Sequence, residues 1–261
     1  MKNIKKLIVL SIFLIGIVST PYAEGFVREN SFMNQTGATR VSEIKRWQSR
    51  MNLPVTGNLD QKTKTALYTK DYEVYDFIAN PPSKGYWIAI NKTRRFLTLY
   101  KGKDVQGKFP VTLGTTATPT PSAKAKIQNK HKNPAWGGMG GKYTPVAADD
   151  PKNPLGERWM GLRIPGQNGY GIHGNIKPHQ IGGYYSNGCI RMYNYDIENY
   201  VFPKVSVGAP VWLGTDKELE SWGLYQYSRI IKPEEKPAVK PKEENKIIRI
   251  EDVNAGELLE F

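Results

Sequence analysis

The sequence predicts a mainly β fold with a few short helices, of the α+β class. Three observations carry that reading. Aromatic residues are plentiful, with 15 Tyr and 6 Trp, and such side chains suit a pleated, half-buried surface. The chain is punctuated by 25 Gly and 18 Pro, so turns are many and long helices few. Runs of β-branched and aromatic residues recur between turn signals beyond residue 85. A chain of 261 residues has room for one or two domains.

In chain order, the first element stands outside the fold. Lys2, Lys5 and Lys6 precede an almost unbroken apolar run from Leu7 to Val18, and small, turn-forming residues follow to Ala23. Residues 1–23 thus have the layout of a secretory signal. The run is short for a membrane span, which needs roughly 20 residues. Pro21 sits where a small residue is favoured before a cut after Ala23, so an uncleaved N-terminal membrane anchor is the alternative. On either reading the rest of the chain is exported. Residues 24–38 are polar and unpatterned. Val41, Ile44, Trp47 and Met51 then recur at helical spacing. Leu53-Pro54-Val55-Thr56-Gly57 reads as a turn, and Asp60 as the cap of a second short helix through Leu67. Residues 36–70 are too few to bury much core alone, so a helical hairpin packed on a main domain is expected.

Residues 71–84, with Asn80-Pro81-Pro82-Ser83, read as a linker. Tyr86 to Ile90, Arg95 to Tyr100 and Val105 to Leu113 read as a β-meander. Residues 114–156 read as one long loop, of the kind that serves as a lid or binding loop. Arg158 to Ile164 and Tyr170 to His173 read as strands, Asn194 to Tyr200 as a short helix, and Val211 to Leu213 as a last strand. Residues 231–261 open with a highly charged, low-complexity stretch and read as a disordered tail.

The net charge is +13, and residues 1–23, 36–70 and 85–214 carry +3, +5 and +11 of local charge. A basic surface on an exported chain suits anionic cell-wall polymers. Nucleic acid is the generic alternative for a basic chain; export and the lack of any nucleic-acid motif argue against it. The single cysteine excludes an intramolecular disulfide. An exported lone thiol is a liability unless it is buried and inert or has a task.

Two short strings carry chemistry: Gly171-Ile172-His173-Gly174, and Ser186-Asn187-Gly188-Cys189-Ile190-Arg191-Met192. A free thiol near pKa 8.5 needs help to act as a nucleophile at neutral pH. An imidazole can take its proton, and a third group commonly fixes the imidazole tautomer. The turn before Cys189 can present consecutive backbone N–H groups to an oxyanion. Arg191 adds positive potential that favours a thiolate or an anionic substrate. A buried structural cysteine beside Ile190 is the alternative. His179 rivals His173 as the base, although its polar loop suggests a solvated side chain, and His131 is expected to be exposed. A zinc site from His173, His179 and Cys189 lacks tight ligand spacing.

The string from His173 to Met192 resembles the signature of the L,D-transpeptidases. Thr118-Pro119-Thr120-Pro121, Asn133-Pro134-Ala135-Trp136, Asn153-Pro154-Leu155-Gly156 with Arg158-Trp159, and Gly208-Ala209-Pro210-Val211 follow the same family order across residues 85–214. Asn187 stands where that family most often has His, and Ser122-Ala123 replaces its usual Gly. Residues 36–70, through Lys45-Arg46-Trp47-Gln48 and Asn52 to Asp60, resemble the second half of a peptidoglycan-binding repeat.

The resemblance implies a β-sandwich-like catalytic domain preceded by a small helical segment, acting on peptidoglycan stem peptides without a metal or organic cofactor. It implies Cys189 as nucleophile, His173 as general base and the Gly174 carbonyl as the group orienting its ring. Backbone N–H groups of Asn187, Gly188 and Cys189 would hold the oxyanion. Arg191, Ser186 and Tyr170 are the candidate substrate-binding residues. The expected reaction is acyl transfer from a tetrapeptide stem to an amine on a neighbouring stem, in a cell wall, periplasm or extracellular space. The same thioester discharged to water would make an L,D-carboxypeptidase, and attachment of wall proteins is a further variant. A non-catalytic wall-binding protein and a stem-cutting cysteine peptidase are the readings from other classes. The first has no use for an exposed thiol, and the cysteine string fits the second poorly.

Overall fold

The computed structural model describes residues 27–231. The signal-like segment 1–23 and all of the charged tail but Ile231 lie outside the described residues. Helices α1 (Gly37–Arg50) and α2 (Gln61–Tyr68) come first. Ile44, Trp47 and Met51 are buried, whereas Val41 at the same spacing is exposed. Trp47 meets Phe32 edge to face at 5.7 Å, and Leu53, Ala66 and Leu67 complete a small core. Gln48 shapes the turn between the helices. Its amide nitrogen donates to Thr56 Oγ1, the Asn58 carbonyl and Thr63 Oγ1, and its oxygen accepts from the Thr56 and Gly57 N–H groups. Asp60 caps α2 as the sequence predicts, accepting from the Thr63 N–H at 2.9 Å.

Residues 71–84 differ from the expected linker, because they contain a strand, β1 (Tyr72–Ile78). The meander follows as β2 (Tyr86–Asn91), β3 (Phe96–Lys101) and β4 (Asp104–Pro110), with β5 (Leu113–Gly114) after it. The expected long loop 114–156 is interrupted by the ten-residue strand β6 (Ala123–Lys132). Then come β7 (Arg158–Arg163), β8 (Gly171–His173), a 3-10 turn (Pro178–Gln180), β9 (Tyr184–Ser186) and β10 (Ile190–Arg191). Helix α3 (Asn194–Asp196) runs into a π turn (Ile197–Val201), and β11 (Pro210–Gly214), α4 (Asp216–Ser221) and β12 (Leu224–Ile230) end the fold.

Eight strands form one mixed sheet in the order β10-β8-β7-β6-β11-β2-β3-β4. The pairs β10/β8 and β11/β2 are parallel and the remainder antiparallel. Ile88, Leu97 and Phe109 from one end of the sheet share a single apolar cluster with Met160, Ile172 and Ile190 from the other. The sheet therefore curls around its own core. The outer face of the β2/β3/β11 end carries a second cluster in which Trp87 stacks on Tyr100 at 4.4 Å and Leu219 and Leu224 cover them.

Strands β1 and β12 pair antiparallel over their full length, from Tyr72↔Ile230 to Ile78↔Leu224. Tyr72 and Val74 pack on the helical core and Ile78 on the outer cluster, so this ribbon joins the two. Asp76, near the middle of β1, is buried. It pairs with Lys108 at 2.5 Å and accepts from Tyr100 and Asn52.

Candidate active site

The site is a cavity of ≈ 610 Å³ between the 131–156 segment and the short strands β8 and β10. Those strands pair in parallel with Arg191 opposite His173 and Ile190 opposite Ile172. Continuing the register sets Cys189 beside Gly171. Side chains two apart on a strand share a face, so Cys189, Arg191 and His173 point to one side, and all three line the cavity. Gly171 is required here, since a Cβ would collide with the Trp159 ring. That ring stacks on His173 at 5.8 Å and is held by its Nε1–H donating to Asn129 Oδ1 at 3.0 Å.

His173 is buried, and its Nδ1 lies 2.8 Å from the Gly174 carbonyl. A carbonyl only accepts, so Nδ1 carries the proton and Nε2 keeps its lone pair. Burial, then the Arg191 charge, lower the His173 pKa to about 3. Burial also raises the Cys189 thiol, against the opposing pull of the Gly171 backbone and Arg191. The cavity is thus lined by a thiol and an imidazole, both of which burial favours in their neutral forms, and the thiol donates to the Gly169 carbonyl at 3.5 Å. Gly174 is itself fixed, because a Cβ would meet Asn194 Oδ1, which accepts from the Asn175 N–H at 2.7 Å.

The turn before Cys189 departs from expectation in its donors. The Gly188 N–H donates to Ser186 Oγ at 3.1 Å, and that hydroxyl donates to the Cys189 carbonyl at 2.6 Å. Gly188 is therefore not a free oxyanion donor, and Ser186 builds the turn rather than facing substrate. The Asn187 and Cys189 N–H groups have no acceptor among the described residues. The Asn187 side chain faces Met139 at 3.6 Å on the cavity rim. Tyr170 packs against the core and lies over Gly188, where a Cβ would come within 2.6 Å of its ring. It shapes the turn and is absent from the cavity wall. Gly188 also has φ 108°, a conformation glycine alone adopts readily.

Sequence reasoning missed the buttress behind this turn. Thr120 Oγ1 donates to the Gly188 carbonyl at 2.9 Å, and Thr118 Oγ1 to the Ser186 carbonyl at 3.1 Å. Both lie in the Thr-Pro stretch, which was the available signal. His131 and Lys132 line the cavity, whereas His179 is exposed on the 3-10 turn and does not. Among the described residues no group of three or more His, Cys, Asp or Glu is arranged to hold a metal.

A family model described as "L,D-transpeptidase catalytic domain" matches residues 85–213, the stretch holding every residue of this cavity. The chain carries an L,D-transpeptidase-family catalytic domain. Ahead of this L,D-transpeptidase domain, a model described as "Putative peptidoglycan binding domain" matches residues 25–67. The "Putative L,D-transpeptidase YqjB" of Bacillus subtilis is 29% identical over 160 residues, covering 60% of this chain and 88% of its own length. The "Putative L,D-transpeptidase YkuD" of Bacillus licheniformis is 34% identical over 120 residues, 46% of this chain and 61% of its own length. The catalytic domain of the Enterococcus faecium L,D-transpeptidase, solved by NMR, is 23% identical with a TM-score of 0.40, covering 51% of this chain and 99% of that one. No helix among the described residues is long and apolar enough to cross a membrane.

Proposed function

We propose that this protein is a peptidoglycan L,D-transpeptidase of the exported cell wall that works through a thioester on Cys189. The observation that supports it best is the neutral thiol and imidazole sharing one cavity, with the His173 tautomer fixed by the Gly174 carbonyl. Cys189 Sγ attacks the carbonyl carbon of the third residue of a tetrapeptide stem, and His173 Nε2 takes the thiol proton. The tetrahedral oxyanion is met by the Asn187 and Cys189 N–H groups. Collapse breaks the peptide bond, and the imidazolium gives its proton to the leaving D-alanine amine. An amine of a neighbouring stem then attacks the thioester, His173 takes a proton from it, and Cys189 leaves and is reprotonated. The walls offer Lys132, Arg191 and His131 and no carboxylate, which suits a donor bearing free carboxylates. The helical segment 36–70 supports a peptidoglycan partner, through the match at residues 25–67.

The test is intact mass after incubation with a carbapenem, beside Cys189→Ala, followed by turnover of purified muropeptides. A covalent adduct lost in the variant, with cross-linked dimers from tetrapeptide substrate, is expected. Release of tripeptide without dimers would move the reading to a carboxypeptidase. A folded protein that forms no adduct would bring the non-catalytic wall-binding reading forward.

A further inference from the structure

The helical segment does not sit beside the catalytic domain as a passenger. It is fastened to the loop that joins His173 to Cys189. Lys45 of α1 is buried and donates from Nζ to the His179 carbonyl at 3.2 Å. Val55 accepts from Arg95 at 3.1 Å, the same guanidinium donates to the Gly182 carbonyl at 2.7 Å, and a Cβ on Gly182 would come within 2.9 Å of Val55. Arg46 pairs with buried Asp196 and lies over the Tyr193 ring, just past the cysteine strand.

Between these anchors lies the 3-10 turn Pro178–Gln180. Gln180 is its working residue. Its carbonyl accepts from Thr112 Oγ1 at 2.7 Å, and its side-chain oxygen accepts from Arg191 Nη1 at 3.0 Å. Thr112 also exchanges both backbone hydrogen bonds with Arg191. The Arg191 Nε is buried with no hydrogen-bond partner among the described residues, so Gln180 supplies the side-chain anchor of this guanidinium at the cavity wall. We propose that Gln180 is a positioning residue that aims Arg191 at the Cys189–His173 pair, and that Lys45 of the helical segment holds the turn that carries it. The segment that resembles a wall-binding repeat is thereby a part of the catalytic apparatus. This rests on Cys189 being the nucleophile.

The charged and titratable groups facing Cys189 across the cavity are Arg191 beside it, His173 from β8, and Lys132 and His131 from β6. Of these, the turn bonds only to Arg191. The experiment is the pH profile of Cys189 alkylation by iodoacetamide on the full chain, with thermal midpoints measured alongside. Gln180→Glu keeps the acceptor but cancels the guanidinium charge. The expected result is a midpoint raised by about one pH unit, the size of a close charge effect, with the thermal midpoint unchanged. Lys45→Met should move the profile in the same direction by a smaller amount, and Lys45→Arg, which can still donate, should restore it. Folded variants with wild-type profiles would overturn the proposal. If Gln180→Glu does not fold, the Lys45→Met and Lys45→Arg pair decides it. A wild-type protein that is not alkylated at Cys189 would instead sink the nucleophile reading.

Discussion

At the scale of single residues, the buried His173 ties stability to pH. Its ordinary pKa near 6.5 holds in the unfolded chain, and burial followed by the Arg191 charge brings it to about 3 in the fold. The unfolded state therefore binds the extra proton first. The contribution is complete above pH 6.5 and is lost as pH falls towards 3, at up to about 1.4 kcal/mol per pH unit. Urea midpoints of the wild type should fall more steeply than those of His173→Gln between pH 7 and 4; parallel curves would contradict a buried neutral imidazole. That Cys189 and His173 lie on one cavity was legible in the sequence through the family resemblance their two strings carry. The roles of Ser186, Gly188 and Tyr170 were not. Residues that look like donors and ligands in a string can be consumed in building the turn, and only the hydroxyl of Ser186 reaching both ways reveals it.

At the scale of elements, the ribbon of β1 and β12 depends on a buried ion pair. Burial alone would raise the Asp76 carboxyl, but Lys108, Tyr100 and Asn52 together hold it below the ordinary range. Its contribution is present above the unfolded value near 3.9 and is lost as pH falls through the lower folded value. Lys108→Met would leave the carboxylate buried and unpaired, at a cost of about 3–5 kcal/mol at neutral pH. The gap to wild type, read from denaturant unfolding, should narrow towards pH 4 as Asp76 protonates in the variant; a constant gap would mean the charge is not the cause. The meander was legible from its apolar runs. Strand β1 was hidden because its inward charge mimics a solvated linker. Strand β6 was hidden because Ala125 and Ile127 alternate with lysines whose stems lie along the sheet, Lys124 reaching over the Trp212 and Trp222 rings at 4.9 and 5.3 Å. The curl of the sheet, which joins strands far apart in sequence, leaves no local signature.

At the scale of the molecule, helices, ribbon and curled sheet share one set of contacts. Asn52 at the end of α1 donates to Asp76 and to the Tyr227 carbonyl, and Arg94 donates to the Asn52 and Gln226 carbonyls. Ending the chain after Gly223 would remove β12 and strip Gln226 from Thr98, Tyr100 and Asn91. Such a truncation should lower the thermal midpoint of the whole protein in one transition, including the helical segment far from the cut in sequence. A surviving high-temperature transition of wild-type midpoint would show that the catalytic sheet unfolds by itself. The ribbon also brings the two ends of the fold together: Arg28 donates to the Tyr72 carbonyl at 3.2 Å and the Ile231 N–H to the Asp71 carbonyl at 2.8 Å. Entry and exit of the polypeptide thus lie at one corner. A circular permutant with residues 28 and 231 bridged by a short linker, and new termini opened at the exposed Lys103 in the turn between β3 and β4, would keep the strand order of the native fold while changing its order of synthesis.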